Sequence, residues 1–356
     1  MIGENKMKCT NFDKSTLKIA VVGATGNVGR MMLNILAERG FDVAQVRAIA
    51  SEKSVGKKVS FGEDDILVVE NLKDFDFKNV DVGLFSPGGK ISAEYAPKAA
   101  AAGCVVIDNT SYFRNDPEIP LIIPEVNRQD ISNYKNKNII TNPNCALAPI
   151  AVSLKPLHDK NPVKRVVVST YQSVSGAGKA AMEELDLQTK SLFTGTPKPA
   201  EVLPRPIAHN LIPHIGEFED SGYTGEETKM RDELKKVLDA SIELSSTCVR
   251  VPVFIGHCSS VHVEFENPFP VNEALEILQN APGVQVLDAD DPINYATPLD
   301  AAGQDDVFIS RLRQDASHPN GLVFWTASDN LRKGAALNAV QILELLIEYH
   351  GKQKAA

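Results

Sequence analysis

The sequence predicts an α/β protein with a doubly wound parallel sheet, followed by a second, α+β domain with a mixed or antiparallel sheet. Three observations carry this prediction. The length of 356 residues is that of roughly two domains. Residues 17–144 alternate short β-branched apolar runs with helical periods, which is typical of a parallel sheet covered by helices. After Pro149 the apolar runs are longer and partly alternating, with few helices between them, which indicates a sheet with one face available to a partner.

The first domain contains six short apolar runs that are predicted strands. Residues 28–39 and 91–102 are predicted helices between them. This alternation favours a parallel, doubly wound arrangement. The strand runs are, in order, LKIAVV, VRAIA, DILVVE, VDVGLF, CVVID and KNII.

The second domain contains five longer predicted strands, VKRVVVSTYQSV, TCVRVPVF, SVHVEFE, DVFISRLR and GLVFWTAS. The Pro-rich residues 197–213 predict an irregular surface connection. A last helix is predicted to begin at Asp329 or Asn330, which are good N-caps, and to dock on the first domain. Its apolar stripe consists of Leu331, Ala335, Ala339, Leu343 and Leu346.

The composition narrows the classes of partner. The chain has 37 Lys and Arg against 46 Asp and Glu, a net charge of −9, which argues against nucleic acid because phosphate contacts call for a basic domain. No apolar stretch approaches the ~20 residues of a membrane span, and the first sixteen residues lack the apolar core of a signal peptide. We therefore expect a cytoplasmic protein without membrane association. Five widely spaced cysteines without a CxxC or HExxH motif predict neither a disulfide framework nor a metal site.

A glycine-rich turn, GATGNVG, directly follows the first strand and begins a helix. Glycine allows the tight turn and the approach of the backbone to a pyrophosphate, which the helix N-terminus attracts. The G-x-x-G-x-x-G spacing is a variant of the Rossmann fingerprint, so a merely structural turn is the alternative to a Rossmann-like nucleotide site. The predicted contacts are Gly23, Thr25, Gly26, Asn27 and Val28.

The end of the second strand bears on the choice of dinucleotide. The Rossmann fingerprint has an acidic residue here for the ribose of NAD. This chain has Ser51, Lys53 and Ser54, which suit a 2′-phosphate and favour NADP, although Glu52 leaves NAD open. A second turn, SPGG, follows the strand VDVGLF and makes Gly88 a further candidate, with a plain turn as the alternative.

Cys145 is the candidate nucleophile. In the segment TNPNCALAP it follows a strand and begins a helix. The dipole and free N–H groups of a helix start stabilise a thiolate and lower its pKa from the free value of about 8.5. From this segment alone, a buried structural cysteine is an equal alternative.

The order of several motifs resembles the aspartate-semialdehyde dehydrogenase family, over residues 17–350. The motifs are GATGNVG, ASEKSVGK, FSPGG, NPNC, YQSVSGAGKAA, the span from PIAHNLIPHIG to GYTGEETKM, RVPVFIGHCSSVHVEFE and SDNLRKGAALNAVQI. The resemblance implies NADPH-dependent reductive dephosphorylation of L-4-aspartyl phosphate to L-aspartate 4-semialdehyde and phosphate, through a cysteine thioester. This reaction serves the biosynthesis of lysine, threonine, methionine and diaminopimelate. It also implies a homodimer and no metal.

The resemblance assigns three catalytic residues. Cys145 is the nucleophile that bonds to the substrate carbonyl carbon. His257, whose unperturbed pKa of about 6.5 suits proton transfer, is the acid/base group. Gln172 orients the cysteine and its adducts. The three further cofactor contacts are Ser175, Gly176 and Asn330.

Five residues are expected to bind the substrate's charges. Arg250 suits bidentate pairing with the α-carboxylate. Glu226 and Lys229, at i and i+3 of a predicted helix, face the ammonium and the phosphate. Arg114 and Asn144 complete the phosphate pocket.

The chain departs from the family pattern at a few positions. Ala146 and Leu147 stand where one or two hydroxyl residues commonly follow the cysteine, and Pro87 stiffens the second glycine turn. We expect a disordered extension at residues 1–16, an NADP-binding domain at 17–144, a catalytic and dimerisation domain at 145–329, and a C-terminal helix at 330–356 that packs on the NADP-binding domain.

Two alternatives remain at this stage. An N-acetyl-glutamyl-phosphate reductase shares the thiolate chemistry, but would have an NPGCY-like cysteine context and lack the EExK helix. A non-catalytic dinucleotide-binding relative would have lost Cys145 or His257, and this chain has both.

Overall fold

The computed structural model describes residues 12–287, 291 and 293–355. The described chain forms two compact units: unit 1, within residues 1–142 and 336–356, and unit 2, within residues 143–335. The boundaries expected from the sequence are after residues 144 and 329, whereas the two units divide after residues 142 and 335.

Unit 1 is built on a six-stranded parallel sheet in the order β5-β2-β1-β6-β7-β8. The remaining two strands, β3 and β4, form a separate antiparallel hairpin. The bounds are β1 (Ile19–Val22), β2 (Val46–Ala50), β3 (Lys58–Phe61), β4 (Asp65–Val68), β5 (Glu70–Asn71), β6 (Val82–Phe85), β7 (Val105–Asp108) and β8 (Ile139–Thr141). The predicted doubly wound parallel sheet is confirmed.

The run DILVVE does not form one sheet strand as predicted. Its first four residues are β4, which is mostly exposed and pairs with β3, and only Glu70 enters the parallel sheet as part of β5. Gly62, with φ of 65°, lies in the turn between β3 and β4, where a left-handed residue allows the chain to reverse.

Nine α-helices lie in the described chain. Their bounds are α1 (Asn27–Glu38), α2 (Gly89–Ala101), α3 (Pro124–Asn127), α4 (Leu147–Lys160), α5 (Lys179–Phe193), α6 (Gly225–Val237), α7 (Val271–Gln279), α8 (Pro298–Ala301) and α9 (Leu337–Ala355). Five of these, α4 to α8, lie in unit 2, which is more helical than the sequence indicates.

Both faces of the parallel sheet are covered. Ile19 and Val21 of β1 belong to a core with side chains of α1 and α9, whereas Ala20 and Val22 belong to a second core with side chains of α2. Because successive strand residues point to opposite faces, this division places helices on each side of the sheet.

The predicted disorder of residues 1–16 is wrong for residues 12–16, and residues 1–11 lie outside the described chain. Phe12 is 4% exposed, and its ring stacks on His350 of α9 with centroids 4.2 Å apart. Burial of this aromatic ring is the physical reason why the segment is ordered.

Unit 2 is built on a six-stranded mixed sheet in the order β10-β9-β11-β14-β13-β12. The outer pairs β10/β9 and β12/β13 are parallel, and the three central pairs are antiparallel. The bounds are β9 (Val163–Gln172), β10 (Glu243–Arg250), β11 (His257–Phe265), β12 (Val284–Val286), β13 (Val307–Gln314) and β14 (Gly321–Ser328). The predicted mixed sheet is confirmed.

A π-helical turn, Arg332–Ala336, precedes α9. The Asp329 carboxylate accepts the backbone N–H groups of Leu331 at 2.8 Å and Arg332 at 3.1 Å. Asp329, which is one of the two predicted cap positions, therefore caps the start of this turn.

Candidate active site

The ends of three neighbouring strands bring three predicted site residues into one row. Gln172, the last residue of β9, pairs in register with Arg250 at the end of β10 and with His257 at the start of β11. Directly opposed residues of adjacent strands project to the same face of a sheet. The three side chains therefore lie side by side, and all three are buried.

Cys145 lies in a helical turn that leads into α4. The carbonyl of Asn144 accepts the N–H of Ala148 at 3.0 Å, and its side-chain Oδ1 accepts the N–H groups of Ala146 at 2.8 Å and Leu147 at 3.2 Å. Asn144 thus caps this turn, which places the half-buried Cys145 at the positive end of the helix dipole. A thiolate is favoured at such a position.

The imidazole of His257 faces the thiol. Its Nε2 lies 3.4 Å from Sγ of Cys145, and its Nδ1 accepts the backbone N–H of Ser173 at 3.1 Å. Burial lowers the pKa of His257 to about 3, and the charge of Arg250 acts in the same direction. The ordinary pKa near 6.5 that the sequence suggests is therefore not kept in the folded protein.

Arg250 is the positively charged residue in the row of Gln172, Arg250 and His257. Its Nη1 donates to the backbone carbonyl of Ser173 at 2.7 Å. Burial lowers the pKa of Arg250, while Cys145 and Glu226 oppose that change; a guanidinium stays charged in proteins. A Cβ at Gly176 would lie 3.1 Å from Nη1 of Arg250 and 3.4 Å from Nε2 of His257, so this glycine borders the reacting groups.

Glu226, near the start of α6, connects several site residues. Its Oε1 accepts the side-chain amides of Asn144 at 2.8 Å and Gln172 at 3.1 Å, and its Oε2 lies 3.6 Å from Nζ of Lys229. Burial alone would raise the pKa of Glu226, but the charges of Lys229 and Arg250 and the two amide hydrogen bonds lower it overall. The buried carboxylate is therefore ionised and holds the other groups in place.

Three residues were missed by the sequence reasoning. Ser173 contacts both His257 and Arg250, and its only sequence signal is that it directly follows Gln172. Glu233 accepts the backbone N–H of Asn144 at 2.6 Å, and its signal is a helical spacing of seven from Glu226. Gly334, which packs against Cys145, has the signal of a glycine within a helical segment.

The remaining predicted residues of unit 2 also hydrogen-bond near His257. Asn330 donates through Nδ2 to Ser175 Oγ at 2.9 Å, and its Oδ1 accepts from Ser173 Oγ at 3.1 Å. Unit 2 therefore contains one connected set of predicted residues: Cys145, His257, Gln172, Asn144, Glu226, Lys229, Arg250, Ser175, Gly176 and Asn330.

Unit 1 contains the glycine-rich turn at the point where the strand order reverses, between β1 and β6. Gly23 has φ of 88°, and a Cβ there would lie 2.7 Å from the carbonyl oxygen of Ser86 after β6. A Cβ at Gly29 would lie 2.2 Å from the carbonyl oxygen of Gly23. Gly26 is the N-cap of α1, so no cap side chain covers the first turn of that helix. This geometry leaves backbone N–H groups available to an anion.

The other predicted residues of unit 1 lie in three further places. Ser51 and Lys53 are exposed after β2, whereas Ser54 is buried. Gly88 is the exposed N-cap of α2, with φ of 92°. Arg114 is buried and donates through Nη2 to the carbonyl of Asn109 at 3.0 Å.

The described residues contain no group of three His, Cys, Asp or Glu side chains suited to a metal ion. None of the helices in the described ranges has the length and hydropathy needed to cross a membrane.

Comparison with known proteins identifies the family. Residues 18–134 match the family model "Semialdehyde dehydrogenase, NAD binding domain", and residues 154–333 match "Semialdehyde dehydrogenase, dimerisation domain". The aspartate-semialdehyde dehydrogenase of Rickettsia conorii is 50% identical over 329 residues, which are 92% of this chain and 97% of the relative. That of Aquifex aeolicus is 49% identical over 333 residues, 93% of this chain and 98% of the relative.

A solved structure agrees with the sequence matches. The crystal structure of aspartate semialdehyde dehydrogenase II from Vibrio cholerae, complexed with ASA, has a TM-score of 0.91 and 46% identity, and the match covers 94% of this chain and 98% of that chain. The chain therefore belongs to the aspartate-semialdehyde dehydrogenase family.

Proposed function

We propose that this protein catalyses the NADPH-dependent reductive dephosphorylation of L-4-aspartyl phosphate to L-aspartate 4-semialdehyde and phosphate, a reaction used in the biosynthesis of lysine, threonine, methionine and diaminopimelate. The observation that carries the proposal is the contact between Cys145 Sγ and His257 Nε2, at 3.4 Å, at a helix start and beside Arg250. A thiolate, a hydrogen-bonding group for an oxyanion and a carboxylate-binding cation are the groups that this reaction requires.

The reaction begins with acylation of Cys145. The thiolate attacks the acyl carbon, a C–S bond forms, the C–O bond to phosphate breaks, and phosphate leaves with the electron pair of that bond. Hydride addition to the thioester would give a tetrahedral oxyanion. When this oxyanion collapses to the aldehyde, the C–S bond breaks and its electron pair returns to Sγ, and the phosphate released in the acylation step takes up the one proton that the overall reaction consumes.

Unit 1 has the features of a dinucleotide site. The turn that starts at Gly23 and the uncapped start of α1 suit a pyrophosphate, because only glycine fits the close approaches at Gly23 and Gly29. The exposed Ser51 and Lys53 suit the 2′-phosphate of NADP. Bound NADPH supplies the hydride for the thioester.

Substrate binding follows from the charges of the site. Arg250 pairs with the α-carboxylate, and Lys229, with a half-exposed side chain, meets the phosphate. The Glu226 carboxylate serves mainly to hold Asn144 and Gln172, and its negative charge favours the substrate ammonium. Arg114 of unit 1 is a second phosphate-binding candidate.

Two broader expectations accompany this function. The match of residues 154–333 to a dimerisation domain supports a homodimer formed through unit 2. A free thiol nucleophile requires a reducing compartment, which supports a cytoplasmic location. The N-acetyl-glutamyl-phosphate reductase alternative is not favoured, because the relatives from Rickettsia conorii and Aquifex aeolicus are named aspartate-semialdehyde dehydrogenases.

The proposed function is tested with purified protein, L-aspartate semialdehyde, phosphate and NADP⁺. We expect NADPH formation that depends on phosphate and is lost in Cys145→Ala. Cys104→Ala is the matched control, because Cys104 is fully buried in unit 1 and burial raises its pKa. Absence of phosphate-dependent NADPH formation by the wild-type protein contradicts the proposal.

A further inference from the structure

Three asparagine side chains form a chain of amide hydrogen bonds within unit 1. Asn338, the second residue of α9, donates through Nδ2 to Oδ1 of Asn142 at 2.6 Å. Asn142, which directly follows β8, donates through its own Nδ2 to Oδ1 of Asn109 at 2.6 Å. Asn109 directly follows β7. Two side-chain hydrogen bonds therefore join three segments that are distant in sequence.

The orientation of each amide follows from a backbone carbonyl at one end of the chain. The carbonyl oxygen of Ile122 can only accept, and Nδ2 of Asn338 lies 3.0 Å from it. The same nitrogen faces Asn142, which presents its oxygen to Asn338 and its nitrogen to Asn109. Because Asn142 and Asn338 are fully buried, bulk water does not compete for these hydrogen bonds.

Asn109 connects this chain to Arg114. The carbonyl oxygen of Asn109 accepts from Nη2 of Arg114 at 3.0 Å, so the guanidinium is bound to the residue that the amides hold. The buried carboxylate of Asp108 accepts the backbone N–H and the hydroxyl of Thr110, both at 2.9 Å. The chain is therefore anchored on both sides of Asn109, and the buried Arg114 is anchored to it.

Asn142 connects the same amides to the strand end that leads to the nucleophile. Its backbone N–H donates to the carbonyl of Asp108 at 2.8 Å, and Cys145 follows three residues later in the sequence. Asn142 is the residue after which the chain leaves unit 1, and Asn338 follows shortly after the chain returns to it. The side chain of Asn142 therefore ties the end of β8 to the segment that contains Arg114.

We propose that Asn142 and Asn338 are positioning residues that hold Asn109, and through it the guanidinium of Arg114, in the place from which it binds phosphate. The inference rests on the proposed function, in which Arg114 is a phosphate-binding candidate. In the direction that forms aspartyl phosphate, a phosphate oxygen attacks the thioester carbon, a C–O bond forms, the C–S bond breaks, and its electron pair returns to Sγ of Cys145. The phosphate has to be held accurately, because a misplacement of about 1 Å can cost two orders of magnitude in rate.

The experiment measures NADPH formation from L-aspartate semialdehyde, phosphate and NADP⁺, with phosphate as the varied substrate. Asn338→Leu keeps the approximate shape of the side chain and removes both hydrogen bonds that it donates. We expect kcat/KM for phosphate to fall about fivefold, the effect of one lost hydrogen bond. The KM for the semialdehyde and the Kd of NADP⁺ should change less than about twofold, a selectivity that a general loss of structure does not produce.

Asn161→Leu is the matched control in unit 2. Asn161 is a buried amide at the C-terminal end of α4, and its Nδ2 donates to the carbonyl of Asn267 at 2.8 Å. Equal kcat/KM for phosphate in Asn338→Leu and Asn161→Leu overturns the inference alone. A wild-type protein without phosphate-dependent turnover overturns the proposed function and the inference with it. If Asn338→Leu does not fold, Asn109→Ala removes the last acceptor of the chain but keeps the carbonyl that binds Arg114, with the same outcomes.

A double variant tests whether Asn338 acts through Arg114. Arg114→Ala alone should lower kcat/KM for phosphate at least tenfold, because a guanidinium binds phosphate through charge-assisted hydrogen bonds. In the Arg114→Ala background, Asn338→Leu should lower it further by less than about twofold, since the group that it places is gone. The same fivefold loss in both backgrounds overturns the role of Asn338 as a positioning residue for Arg114, and so does an unchanged kcat/KM in Arg114→Ala.

Discussion

Gly334 lies directly against the backbone and side chain of Cys145. A Cβ at position 334 would lie 2.9 Å from Cβ and 2.9 Å from the carbonyl oxygen of Cys145, closer than such atoms approach in folded proteins. The position of the thiol relative to His257 and Arg250 therefore depends on the absence of a side chain at residue 334.

Gly334→Ala is expected to displace Cys145 and lower kcat at least tenfold, because a shift of the reacting atom of about 1 Å costs up to two orders of magnitude. The rate of Cys145 alkylation should change in parallel. Gly225→Ala is the matched control, since among the described residues the atom nearest to a Cβ there would be the carbonyl oxygen of Glu217, at 3.8 Å. Similar kcat values in the two variants would show that Gly334 does not position the thiol.

His257→Gln is expected to change how stability depends on pH. The folded-state pKa of about 3 lies below the unfolded value near 6.5, so below pH 6.5 the unfolded chain binds a proton that the folded protein does not. This contribution to stability is complete above pH 6.5 and declines as the pH falls toward 3. Between pH 7.5 and 5 the wild type should lose about 2 kcal/mol more unfolding free energy than the variant.

Urea unfolding of both proteins at the two pH values measures this difference. Equal losses in wild type and His257→Gln would mean that the imidazole is not held neutral in the folded protein.

Gly29→Ala is expected to weaken dinucleotide binding by at least tenfold. The new Cβ would lie 2.2 Å from the carbonyl oxygen of Gly23, so the turn that approaches the pyrophosphate has to move. Gly351→Ala is the control in unit 1, because no atom of the described residues lies within 4 Å of a Cβ there. Calorimetric titration with NADPH measures both affinities, and an unchanged affinity in Gly29→Ala would argue against the turn as the pyrophosphate site.

Glu226→Gln is expected to lower kcat/KM at least tenfold. The carboxylate accepts amide hydrogen bonds from Asn144 and Gln172, and its charge faces Lys229; removing a buried ionic acceptor costs about 1–3 kcal/mol or more. The exposed Glu243, paired with Lys235 at 3.2 Å, provides Glu243→Gln as the acid-to-amide control. Initial rates with aspartate semialdehyde measure the effect. Activity equal to that of Glu243→Gln would exclude the supporting role of Glu226.

The parts of the fold that the sequence predicts are those with a local physical signal. The buried strands of the parallel sheet are continuous β-branched runs, and the turn after β1 is marked by Gly23, Gly26 and Gly29. The hairpin of β3 and β4 was not predicted. Most residues of β4 are apolar although the strand is mostly exposed, so its sequence resembles that of a buried strand. The burial of Phe12 on His350 depends on two ends of the chain, so nothing near Phe12 indicates it.

The site residues were predicted from the resemblance of the motifs to a known family more than from the spacing of residues in the sequence. Cys145 has a local signal in its position at a helix start, whereas the row of Gln172, Arg250 and His257 depends on the register of three strands that are distant in sequence. The lowered pKa of His257 and the role of Ser173 follow from burial and from hydrogen bonds across that register. The sequence near these residues indicates neither the lowered pKa nor the role of Ser173.

The central claim, that Cys145 bonds to the substrate carbonyl carbon, is tested most directly by mass spectrometry of the acyl-enzyme. The protein is mixed with L-4-aspartyl phosphate without NADPH, quenched in acid and digested. We predict an aspartyl thioester on the peptide containing Cys145, also present in Cys104→Ala, absent in Cys145→Ser and lost when NADPH is added before the quench. Turnover by a wild-type protein that shows no adduct, or an adduct on another residue, would contradict the account.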